Sequence, residues 1–143
     1  MGAGLTEDRI NKLATSFPIN DSLSFCAAHI SEQFSYVDKR EGDAILRIPS
    51  YLGAKISPTE SFLGLTLLAF GDPDAARRQL AEHPIKKQTE RTNTNAKEML
   101  ARLREAGRKG YFLERGEFFD GAVQTGTAIR GKDGKVVAAL GAS

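Results

Sequence analysis

From Thr6 onward the apolar positions Ile10, Leu13, Ala14 and Phe17 recur at spacings of three and four, which predicts a short amphipathic helix ended by Pro18. Ser22 to His29 and Phe34 to Arg40 then read as strands, the first apolar enough to sit centrally. Glu41-Gly42-Asp43 turns the chain into a third strand over Ala44 to Ser50. Strands joined by such short connections pair antiparallel, because a parallel partner needs a long crossover. Helical spacing returns between Ser57 and Phe70, where Leu63, Leu67 and Phe70 share a face before Gly71-Asp72-Pro73. Asp72, followed by proline at the first helical position, opens a further helix whose buried side is Ala76 and Leu80 and which breaks at His83-Pro84. Asn95-x-x-Glu98 has the form of a capping box and begins a helix with Met99, Leu100, Leu103 and Ala106 apolar, closed by Gly107 or Gly110. Beyond Gly110-Tyr111 and Phe118-Phe119-Asp120-Gly121, the stretches Thr125 to Arg130 and Val136 to Ala142 are strand-like and flank Asp133-Gly134, a strong hairpin signal.

Composition narrows the function classes. With 20 Lys plus Arg against 18 Asp plus Glu, the net charge of +2 is close to balance, so sequence-independent nucleic-acid binding is not indicated. Lys97, Arg102, Arg104, Glu105 and Arg108 read as one solvated helix face. At 143 residues one domain can bury its own core without a disulfide or a metal. Cys26 is the only cysteine, which excludes an internal disulfide and fits a reducing compartment; the expected location is cytoplasmic. Met1 to Leu5 lacks the order of a secretion signal, and no apolar run approaches the ~18 residues of a membrane span. Met1-Gly2 with Thr6 formally matches an acylation pattern, but an ordinary terminus is the simpler reading.

Catalytic and metal chemistry find little support. His29 and His83 are the only histidines, and no Cys-x-x-Cys or His-x-His ligand spacing exists. Cys26 and His29, three apart on a strand, point to opposite faces and cannot form a nucleophile and base pair. No glycine-rich phosphate loop precedes a helix. No catalytic residue, metal ligand or cofactor is expected.

Residues 20 to 143 resemble the C-terminal effector-binding domain of IclR-type bacterial transcription regulators. The anchors are Tyr36-Val37-Asp38-Lys39 with Gly42, Gly53 ahead of Leu63-Gly64-x-x-Leu67-Leu68-Ala69, Gly110-Tyr111, Gly121, and Asp133-Gly134-Lys135 running through Val136 to Leu140, in the family's order. The resemblance implies an α+β fold of GAF/PAS-like type: a curved, mostly antiparallel sheet flanked by helices, with a small-molecule pocket between sheet and loops. Members carry a winged helix-turn-helix in front, and residues 1 to 17 are too short for one. The expectation is therefore a single sensor domain over residues 1–143, touching DNA only through a domain this chain lacks. Family members usually continue into a final helix past the point reached at Ser143. The implied partners are a small-molecule effector, a small carboxylate or aromatic acid, and further copies in a homodimer or homotetramer. The alternative is a ligandless dimerisation module on the same scaffold.

The same resemblance assigns ligand contacts to Ser61, Leu63, Gly64, Glu114, Ala122, Gln124, Gly141 and Ser143. Two helix starts compete. Ser57-Pro58-Thr59-Glu60 is a capping box by local chemistry, whereas the resemblance starts the helix at Ser61, freeing the amides of Phe62, Leu63 and Gly64 toward an anion. Glu114 stands where aspartate is common and shrinks the pocket; Gly141 lacks a hydroxyl; Thr59 and Val123 replace a frequent histidine and arginine. These departures argue against a dianion, while Glu114 and Gln124 suit a polar neutral group or a mono-acid. Taken residue by residue, Glu114 also reads as an exposed strand residue paired to an arginine, Gln124 as an edge position, and Ser143 as a frayed end. Phe118 and Phe119 read as a lid or as packing under a loop, with only one facing inward.

Overall fold

The computed structural model describes the backbone of residues 25–29, 34–40 and 55–143, and side chains from residue 57 onward. The helix expected over Thr6 to Phe17 and the strand expected over Ala44 to Ser50 lie outside those residues. The order is β1 (Phe25–His29), β2 (Phe34–Arg40), β3 (Lys55–Ile56), α1 (Phe62–Phe70), α2 (Pro73–Glu82), α3 (Ala96–Lys109), β4 (Phe112–Arg115), β5 (Val123–Arg130) and β6 (Val136–Ala142). The strands form one sheet in the order β3-β2-β1-β6-β5-β4. Every neighbouring pair is antiparallel. Two meanders, β1 to β3 and β4 to β6, thus meet along β1 and β6, from Phe25 opposite Ala142 to His29 opposite Ala138. The described helices all fall between the meanders, giving the α+β, GAF/PAS-like arrangement.

Helix α1 is apolar on every side because every side is covered. Phe62 through Leu68 are all buried. Its start resolves the competition between Ser57 and Ser61. Ser61 is extended at φ −141° and its Oγ accepts from the Gly64 amide at 3.0 Å. The Leu65 amide donates to the Ser61 carbonyl at 3.1 Å. Ser57 instead opens a turn, its carbonyl accepting from the Glu60 amide at 3.1 Å, and its hydroxyl lies 3.3 Å from that of Thr59. The local capping-box reading fails for a tertiary reason. That turn folds the Pro58 backbone flat against Gly64, where no side chain fits.

The same closeness holds on the sheet side. Gly126 and Gly141 are paired across β5 and β6; a Cβ on the first would strike Thr66, and one on the second Phe62 and Leu63. Helices α2 and α3 cover α1, burying Ala76 and Leu80 from one and Met99, Leu103 and Ala106 from the other. Their starts follow the sequence: Asp72 accepts from the Asp74 amide at 3.1 Å and Asn95 from the Glu98 amide at 3.0 Å. The β5–β6 hairpin turns at Gly134, whose φ of 79° suits only glycine without strain. It is closed by the Gly131 amide donating to the Lys135 carbonyl at 2.9 Å.

Gly64→Ala is expected to cost about 3 kcal/mol, since its neighbour is backbone and cannot turn aside. Gly141→Ala meets only side-chain tips and is expected to cost about 1 kcal/mol, partly recovered by Phe62→Leu. Urea unfolding midpoints at unchanged slope measure both.

Candidate functional site

Strand β4 alternates, with Phe112 and Glu114 buried and Arg115 exposed. Opposite them on β5 lie Gly126 and Gln124. Phe112, Gly126 and Gly141 make the row beneath α1, and Glu114, Gln124 and Ser143 make the next row on the same face. This second row is polar and closed off: Glu114 and Gln124 are each only 1% exposed. Gln124 Nε2 donates to Ser143 Oγ at 3.0 Å, and Glu114 Oε2 accepts from the Glu117 amide at 2.7 Å. Burial pushes the Glu114 carboxyl above the usual carboxylate range. The Glu117 amide opposes that shift, the Glu117 charge adds to it, and the Phe118 amide and Arg102 oppose it more weakly.

A clamp from α3 holds this row in place. Arg102 grips both oxygens of Glu117, Nη1 to Oε1 at 2.8 Å and Nη2 to Oε2 at 2.7 Å. Its Nη2 also donates to the Leu113 carbonyl at 3.2 Å, and its guanidinium stands 5.4 Å from the Phe112 ring centre. The segment Ile85 to Asn93 crosses the same turn. The Asn93 amide donates to Glu117 Oε1 at 3.2 Å, Thr92 Oγ1 donates to the Glu117 carbonyl at 2.6 Å, and Thr89 Oγ1 donates to the Gly116 carbonyl. At its other end Gln88 Nε2 donates to the Glu60 carbonyl at 3.3 Å, and Lys86 pairs with the Glu60 carboxylate at 3.1 Å. This strap therefore joins the approach to α1 to the turn after β4, at the Glu114 end of the sheet.

The eight expected contact residues fall into two groups. Glu114, Gln124 and Ser143 are contiguous, and Ser61 caps α1 on the same face. The amides of Phe62 and Leu63 occupy the first helical positions, which have no acceptor within the helix. The Gly64 amide is already taken by Ser61, contrary to the expectation that three amides are free. The Leu63 side chain is wholly buried in the core. Gly141 lies beneath Phe62 and Leu63, so its lack of a hydroxyl reflects packing space and says nothing of a ligand. Ala122 is buried and ties the turn shut, its carbonyl accepting from the Gly116 amide at 2.7 Å.

Other residue-level readings are corrected. Glu114 is not exposed, and among the described residues no arginine pairs with it; the backbone of its own turn supplies a donor. Val123 is 46% exposed while its neighbours Ala122 and Gln124 are buried, so an arginine there faces away from the polar row. Phe118 packs into the core and Phe119 only partly follows it. Glu117, which ties the clamp together, carries no signal in the sequence beyond lying three residues after Glu114. Among the described residues two grooves, of about 230 and 210 Å³, border α3, and none of the eight expected residues lines either. Among the described residues no group of three or more His, Cys, Asp and Glu could hold a metal ion, and no helix is long and apolar enough to cross a membrane.

The family model described as "Bacterial transcriptional regulator IclR C-terminal" matches residues 25–143. None of the curated proteins compared matches the chain. Among solved structures, the Thermotoga maritima IclR is similar at a TM-score of 0.79 and 22% identity, over 94% of this chain and 53% of that one. The Agobacterium tumefaciens repressor BlcR is similar at a TM-score of 0.79 and 18% identity, over 94% of this chain and 54% of that one. The inducer-binding domain of a double mutant of PobR from Acinetobacter, in complex with 3-hydroxybenzoic acid, gives a TM-score of 0.73 at 20% identity, over 95% of this chain and 78% of that one. At these identities the likeness shows the fold. The chain spans about half the length of the first two proteins.

Two outcomes follow from the clamp and the buried carboxyl. Arg102→Met leaves Glu117, only 11% exposed at its side chain, without its cation and is expected to cost about 3 kcal/mol, against at most about 0.5 kcal/mol for Arg77→Ala at the exposed Asp74 pair. Because the folded chain holds the Glu114 proton more tightly than the unfolded chain, this group's contribution is full below the ordinary carboxylate pKa and is lost as pH rises through the folded value. Glu114→Gln is expected to flatten that limb of the stability profile; urea midpoints taken between about pH 4 and 8 measure both effects.

Proposed function

The chain belongs to the C-terminal domain family of IclR-type bacterial transcriptional regulators, and we propose that it binds a small organic acid and carries subunit association for such a regulator. The family is one of regulators, so the chain is not an enzyme. In this reading occupancy of the domain biases the arrangement of a homodimer or homotetramer and so alters DNA binding by a winged-helix domain. The effector shifts that equilibrium only by its difference in affinity between the two arrangements. The setting is cytoplasmic.

The observation that carries the proposal is the buried polar row Glu114–Gln124–Ser143, on the same sheet face as the start of α1. A fold that needed only to pair subunits gains nothing from burying a carboxyl and an amide there, because each costs desolvation unless it meets a partner. The amides of Phe62 and Leu63, at the positive end of a nine-residue helix, supply donors suited to a carboxylate. One negative charge suits the row, because Arg102, the cation beside it among the described residues, is spent on Glu117. The PobR inducer-binding domain, held with an aromatic hydroxy acid, supports an organic acid as the class.

The measurement is a thermal-shift panel of small mono-carboxylates on this chain. At a hundredfold excess over Kd a true effector adds about 2.7 kcal/mol, which raises Tm by about 5 °C or more. Gln124→Leu is expected to cut the shift to about half while leaving subunit association intact. No shift from any acid, with association unimpaired, favours the ligandless dimerisation module.

A further inference from the structure

Two buried side-chain oxygens have no hydrogen-bond donor among the described residues: Glu114 Oε1 and Gln124 Oε1. They belong to residues directly opposite each other on β4 and β5, both 1% exposed and both on the α1 side of the sheet. Their companion atoms are satisfied, Glu114 Oε2 by the Glu117 amide and Gln124 Nε2 by Ser143. A buried polar oxygen without a partner is costly, so two side by side mark a place that waits for a ligand group. A carboxylate brings only acceptors and leaves Gln124 Oε1 unpaired.

We propose that the effector of this chain carries a hydroxyl group that bridges Glu114 and Gln124, so that the domain selects hydroxy acids over the matching keto or unsubstituted acids. This rests on the effector-binding reading above and adds the second half of the ligand to it. The amides of Phe62 and Leu63 suit the acid end, and the two orphaned oxygens suit the hydroxyl end. One hydroxyl satisfies both oxygens. Burial favours Glu114 with its proton, which it then donates from Oε1 to the ligand oxygen. The ligand O–H in turn donates to Gln124 Oε1, and Glu114 Oε2 keeps the Glu117 amide. A keto oxygen accepts from Glu114 but leaves Gln124 Oε1 unpaired; a methylene serves neither. An ammonium group needs Glu114 ionised, which burial opposes.

The test is isothermal titration of this chain with matched sets: lactate, 3-hydroxybutyrate and the hydroxybenzoates, each against its unsubstituted and fluoro counterparts, with pyruvate and acetoacetate as keto members. At least one hydroxy acid is expected to bind about tenfold or more tighter than its unsubstituted counterpart. Fluorine accepts but does not donate, so the fluoro acid is expected to lose that advantage without any change to the protein. Gln124→Met is expected to bring the ratio to within about twofold. Equal binding of hydroxy, fluoro and unsubstituted acids overturns the hydroxyl and leaves the effector reading standing. That result is what a turned Gln124 amide predicts, giving Nε2 to Glu114 and taking the Ser143 proton, as does a resident water. Binding by no acid at all overturns both readings together.

Discussion

The constraint on which the structure depends is how closely α1 lies on the sheet. Its first two turns are pressed between the Pro58 backbone on one flank and a glycine pair, Gly126 and Gly141, beneath. Packing at that height leaves room for one layer of side chains only, those of Phe62, Leu63 and Thr66 lying directly on the glycine backbone. Where Gly64 meets the Pro58 main chain no rotamer change can make room, so the contact on that flank is the least adjustable of the three. Helices α2 and α3 then need only cover the outward face of α1, and a small apolar set does so.

The second dependency runs through Glu117. Its amide serves the Glu114 carboxyl, its carbonyl takes the Thr92 hydroxyl, and its carboxylate takes Arg102 and the Asn93 amide. Two segments distant in sequence, the strap and α3, thus converge with the end of β4 on one residue beside the polar row. Arg102 suits the task because its planar fork meets both carboxylate oxygens while its face rests near Phe112. Hydrogen bonds run without a break from Glu114 through this turn to the strap, which reaches Glu60 at the approach to α1.

Much of the fold was legible because it follows local rules. Asp72-Pro73 and Asn95-x-x-Glu98 start helices where a cap and a first-turn acid place them, and Asp133-Gly134 turns a hairpin because glycine tolerates the conformation. Ser57 misled local reasoning: its sequence caps a helix as well as Ser61 does, and only the contact of Pro58 with Gly64 decides between them. The short β3 had no pattern to find, being a two-residue pairing to Ser35 and Phe34. Around the polar row, the alternation of β4 and β5 could have placed Glu114 and Gln124 inward with Phe112, had the register been known. In sequence Gly141 and Val123 read as altered ligand contacts, whereas one is a packing glycine and the other faces outward. Strand register and helix height, neither written in any local stretch, separate those cases.

The seam between β1 and β6 carries a kinetic consequence. Phe25 and Ala142 are neighbours in the sheet although nearly the whole described chain separates them. Closing so long a loop comes before the contacts that reward it, which ranks such a topology among slow folders. On the ribosome the first meander emerges early, with its β1 edge open until the final strand arrives. In that interval the edge is open to edge-to-edge association with other chains.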